Sequence, residues 1–98
     1  MGLLSTLSNV NKINTLLKQI EPKIQAIEYE ANSLYPNRNR VTIECRTIAV
    51  LMNEILEIAT KSSTTVQEAP YYLFGRKMSL IQISMATAAL IEACENSD

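Results

Sequence analysis

From Leu3 to Leu34 the apolar side chains fall into two columns, each repeating every seven residues: Leu3, Val10, Leu17, Ile24 and Ala31 in one, and Ile13, Ile20, Ile27 and Leu34 in the other. Only Thr6 interrupts them. Such a repeat holds a narrow apolar seam on one side of a helix, the pattern of a bundle or coiled coil. Pro22 lacks an amide donor and crowds the carbonyl of Lys18. The repeat keeps its phase across Pro22, which lies on the side away from the seam, so one kinked helix is expected rather than two. At 1.5 Å per residue its seam is about 48 Å long.

Tyr35-Pro36-Asn37-Arg38-Asn39-Arg40 reads as a turn, because the residue before a proline is steered out of helical geometry, and Asn39 is a candidate cap for the next helix. That second helix is expected over Val41 to Thr60, about 30 Å long. Val41, Cys45, Ile48, Met52, Ile55 and Ala59 form its main stripe, and Ile43, Val50, Leu51 and Ile58 form another. Two apolar faces predict a central helix or one that touches another chain. Lys61 to Thr65 reads as a polar linker, and Pro70 as a break or helix start. Ser79 and Gln82 form a capping box, with Met78 and Ile83 as its hydrophobic staple, opening a third helix that runs to about Glu95. Apolar residues circle most of that helix, and Ser84, Ala86, Ala88, Ala89 and Ala93 leave room for a close neighbour. No alternation long enough for a sheet is visible, and two glycines offer little chemistry for tight hairpins.

The same scarcity of glycine argues against phosphate-cradling loops. With no His, and Asp98 as the only Asp, His-ligated zinc and Ser-His-Asp arrangements are out of reach. Cys45 and Cys94 read as reduced core residues. The longest uncharged run, Met78 to Ile91, is shorter than the roughly 20 residues that span a bilayer. The start has no basic region followed by an apolar signal, and its Met1-Gly2-Leu3-Leu4-Ser5-Thr6 acylation pattern lacks a second membrane signal, so it reads as an ordinary chain start. A net charge of -1 gives no broad attraction to nucleic acid or anionic lipid.

Three constellations could carry function. Glu54 with Glu57, and Glu92 with Glu95, are carboxylate pairs each on one helix face, and the two pairs could hold Mg²⁺ if they converged. They resemble the metal-binding carboxylates of the all-α nucleoside-triphosphate pyrophosphatases. That resemblance implies a Mg-dependent nucleotide pyrophosphatase, but it covers these positions alone. The acidic cluster expected early in the later helix is missing, since Met78 to Ile91 has no acid. A solvated face accounts for the glutamates better. Arg38, Arg40 and Arg46 oppose the dipole of the second helix, and offer either a local contact for RNA or phosphate or simple pairing with Glu44 or a glutamate of the first helix. Tyr71 to Phe74, with Arg76 and Lys77 close behind, has the aromatic-plus-cation composition of binding hot spots. Helical spacing divides it, with Leu73 and Phe74 inward and Tyr71, Arg76 and Lys77 toward a partner.

The expectation is a single all-α domain over residues 1–98, a three-helix bundle with a long Pro-kinked first helix and a short extra helical turn near residue 70. Elimination leaves a non-enzymatic, cytoplasmic protein-protein interaction module needing no cofactor or metal, such as a small inhibitor, immunity or antitoxin-like factor, or assembly subunit. Its partner-binding candidates are Tyr71, Arg76, Lys77, Arg38 and Arg40. Because the first seam outreaches the second helix, a homodimer is expected over a monomer.

Overall fold

The computed structural model describes residues 2–96, so Met1, where the acylation pattern begins, lies outside them. α1 spans Leu3–Ala31, α2 Arg38–Thr60, α3 Thr64–Glu68 and α4 Leu80–Asn96, with a two-stranded sheet of β1 (Tyr71–Leu73) and β2 (Arg76–Met78) between α3 and α4. The fold is mainly helical and elongated, measuring 51 × 21 × 17 Å.

The seam of α1 becomes core where another element covers it. Ile13, Leu17, Ile20, Ile24 and Ile27 are buried, and the helix runs unbroken through Pro22. Its outer turns differ: Leu3, Leu4 and Leu7 stay exposed, as does Leu34 beyond the helix end. α1 stops at Ala31, three residues short of the expected end, where the amide of Asn32 donates to the carbonyl of Glu28 and the Ser33 hydroxyl to that of Tyr29.

At the α1–α2 corner Glu30 is buried at a helix end. Its carboxylate accepts the Asn37 amide at 2.8 Å and the Arg40 guanidinium at 3.0 Å. Asn37, not Asn39, caps α2, accepting the Arg40 amide at 3.1 Å. The helix therefore begins at Arg38, and the arginines expected in a turn belong to its first winding. Pairing of Glu30 with Arg40 and of Lys23 with Glu44 shows α1 and α2 to be antiparallel.

α2 is the central element, packed against α1, α3 and α4. Cys45, Ile48, Met52, Ile55 and Ala59 of its main stripe are buried. Leu51 joins them from the second stripe, whose Ile43 and Val50 remain exposed. α4 also runs antiparallel to α2: Leu80 and Ser84 meet Leu56 and Ala59 around one cavity, and Ile91 and Cys94 meet Val41 and Cys45 around another.

The short helical turn expected near residue 70 comes slightly earlier, as α3, which begins in the last two residues of the segment expected as a linker and ends at Glu68. Gln67 fixes it by donating to the carbonyls of Ala59 and Ser62 at the end of α2. The hairpin is the main departure from the expected fold. β1 and β2 pair antiparallel with Leu73 opposite Arg76, so Phe74 and Gly75 form a two-residue turn, with φ of 52° and 75°. Positive φ at both positions marks the type I′ turn that matches the twist of paired strands. One glycine is enough, because Phe74 takes the other left-handed position and its amide is held by Glu21 of α1 at 2.7 Å.

A candidate docking face on the last helix

The strand period of two, in place of the helical period, rearranges the aromatic segment. Tyr71 and Leu73 point into the core and Tyr72 and Phe74 point out. Tyr71 is 0% exposed, and its hydroxyl donates to the Val66 carbonyl at 2.7 Å. Burial pushes its phenol above the usual range. The expected division is therefore corrected at two residues. Tyr71 is a plug between the hairpin and α3, and Phe74, 42% exposed, faces outward.

Arg76 and Lys77 are exposed on β2, as expected. Arg38 is exposed at the start of α2, while Arg40 is committed to Glu30. The hairpin leans on α1 at Glu21 and Arg40 binds α1 at Glu30, two anchor points about 13.5 Å apart along the axis of α1. The segments that carry the two pairs of cations are thus anchored at separate points.

The two glutamate pairs are also separate. Glu54 and Glu57 flank a surface depression with Ile58 and Lys61, whereas Glu95 borders a cavity with Val41 to Ala49, in the other half of α2. The hydrogen bond from Lys61, 2.8 Å, holds the Glu57 carboxyl below the usual carboxylate range. Among the described residues, no group of three His, Cys, Asp or Glu side chains is placed to hold a metal ion. Nor is any described helix long and apolar enough to cross a membrane.

The packing leaves one side of α4 open. Ser79 opens this helix with the capping box expected from the sequence: its hydroxyl accepts the Gln82 amide at 3.1 Å and the Gln82 side chain accepts the Ser79 amide at 2.9 Å. That start fixes which face turns toward α2. Leu80, Ile83 and Thr87 are buried, with Leu90, Ile91 and Cys94 half-buried beside them. At 100° per residue, Ile81, Met85, Ala88, Glu92 and Glu95 line up more than a quarter-turn away. All five are exposed, Ile81 by 73% and Met85 by 67%. Beside the stripe a cavity of about 400 Å³ lies between α2 and α4, lined by Leu56, Ala59, Leu80, Ile81, Ser84 and Met85 among others.

No family model, curated protein or solved structure matches this chain.

Ile81 and Met85 are not among the residues that the sequence singles out, while Ala88 stands out there only as a small residue and Glu92 and Glu95 only as a carboxylate pair. The signal of the stripe is present, since apolar residues encircle the third helix, and the structure assigns only part of that circumference to the core. Aromatic composition points to the hairpin instead, where the fully buried tyrosine is structural.

Proposed function

We propose that the protein is a non-catalytic helical interaction module that binds a second copy of itself, α4 packing antiparallel on α4 about a two-fold axis. The observation that carries this reading is the exposed stripe of α4. Burying a side chain such as Ile81 or Met85 is worth about 1.5 to 3 kcal/mol, and a two-fold interface buries each twice. The small Ala88, beside Ser84 and Ala89, leaves room for close approach of backbones.

Charge order favours a second copy. The helix is uncharged from Leu80 to Ile91, preceded by Arg76 and Lys77 and ended by Glu92 and Glu95. Antiparallel pairing brings the basic start of each copy toward the acidic end of the other. Each glutamate pair then lies near the positive end of the opposing helix dipole. Parallel pairing would instead juxtapose like charges. The separation of the glutamate pairs and the commitment of Arg40 to Glu30 lend the metal-dependent and RNA-binding alternatives no such support.

Light scattering at about 100 µM, above the roughly micromolar affinity of a modest interface, should give twice the chain mass of 11.0 kDa. Met85→Glu should restore the monomer mass with an unchanged helical circular dichroism spectrum. A wild-type chain that scatters as a monomer, or a variant that remains dimeric, would overturn the proposal.

A further inference from the structure

The chain has two cysteines, on different helices and 49 positions apart, and the antiparallel packing of α2 and α4 brings them together. Cys45 and Cys94 line one cavity of about 190 Å³ with Thr42, Arg46, Ile91 and Glu95. The two thiols are close enough for Cys94 to contribute to the raised pKa of Cys45. Cys45 is buried and Cys94 is half-buried, so the pair has an inner and an outer thiol. Neither cysteine belongs to the proposed interaction stripe of α4, which meets the cavity only at Glu95.

We infer that Cys45 and Cys94 form a modification site, closing to an intramolecular disulfide between α2 and α4 when a low-molecular-weight disulfide of the glutathione class reaches Cys94 at the edge of the cavity. The outer sulfur, Cys94 Sγ, gives its proton to solvent and attacks one sulfur of the small disulfide, breaking its S–S bond. A protein mixed disulfide forms and the first small thiol leaves. Burial raises the Cys45 thiol above its usual range, so the second step is slow at neutral pH. It is favoured at alkaline pH, where Cys45 Sγ gives its proton to solvent and attacks Cys94 Sγ, expelling the second small thiol. Two protein thiols are oxidised, one small disulfide is reduced to two thiols, and no other electron acceptor is needed. The mutual approach of the two side chains makes the second step intramolecular. The bond would close a loop of about 50 residues, the kind of cross-link that most restricts an unfolded chain.

The outward placement of Cys94 assigns it the first attack, and this order is testable. The full-length protein is incubated with oxidised glutathione at about pH 9, where thiolates are more abundant, until its mass no longer changes, and its intact mass is measured without reductant. The wild-type chain should lose about 2 Da, two hydrogens, remain a single chain on a denaturing gel, and resist alkylation at both cysteines after unfolding. Cys45→Ser should retain one glutathione, bound at Cys94, and Cys94→Ser should remain largely unreacted. A wild-type chain that keeps a stable glutathione adduct, that links to a second chain through sulfur, or that stays alkylatable at both positions would overturn the inference. These wild-type masses decide the matter even where a variant folds poorly. Light scattering of the reduced protein reports on the α4 dimer separately, so the two proposals can fail independently.

Discussion

Tyr71 and Phe74 stand three residues apart in one hairpin and carry opposite burdens. Tyr71 fills the space between β1 and α3 and satisfies the Val66 carbonyl, whereas Phe74 holds a left-handed backbone conformation and is only partly covered. Tyr71→Ala should therefore cost about 3 to 5 kcal/mol, the usual loss for a buried aromatic. Tyr71→Phe should cost about 1 kcal/mol, the worth of one hydrogen bond. Phe74→Asn moves the other way. Asn tolerates positive φ better than Phe and keeps the amide that Glu21 holds, so stability should rise by up to about 1 kcal/mol. Urea denaturation of the three variants measures all of this. Equal losses for Tyr71→Ala and Phe74→Asn would contradict the hairpin. The sequence hides the arrangement because three-residue strands are too short to show a period, and because a positive φ at Phe74 has no signature in a residue that seldom adopts it.

Among the helices, legibility in the sequence depends on how local the cause is. The capping box at Ser79 and Gln82 is a contact between residues three apart, and it forms as its spacing implies. The heptad columns of α1 locate the buried seam but not its ends, which are set by the length of α2 and by the Glu30 corner, both long-range facts. The exposed stripe of α4 is illegible for a related reason. On a helix apolar nearly all round, only the position of α2 decides which side is core. Pro22 shows a local cost that tertiary packing overrides. It sits on the exposed side of a helix that runs through it, denying the Lys18 carbonyl its usual donor. A mid-helix proline is about 3 kcal/mol worse than alanine, offset in part by its stiffening of the unfolded chain. Pro22→Ala should thus stabilise the protein by about 2 kcal/mol, seen as a higher urea midpoint. An unchanged or lower midpoint would mean that Pro22 shapes α1 in a way its neighbours require.

At the scale of the whole molecule, a slender body with one shared central helix has little redundancy, and two acidic groups held protonated in its core bear on its global stability. Burial, reinforced by the nearby Cys94, Glu95 and Glu44, pushes the Cys45 thiol from 9.0 up to about 12. Burial alone pushes the Tyr71 phenol above 10.0. Both raised values favour the neutral form in the folded state. Well below pH 9 neither group ionises appreciably in either state, and their protonated contacts contribute fully. As pH climbs past 9.0 for Cys45 and 10.0 for Tyr71, the unfolded chain loses these protons first, binds fewer than the folded chain, and is favoured. Stability should therefore fall steadily from pH 9 toward 12, with the Cys45 contribution starting first. Urea midpoints measured under reductant across this range test the sign and the assignment together. The decline should be shallower in Cys45→Ala from its onset and shallower in Tyr71→Phe only above pH 10, since each variant removes one proton from the linkage. A wild-type midpoint that stays level to about pH 11, or variants that track the wild type throughout, would place both groups in surroundings more open to water than the packing of α2, α3 and α4 allows.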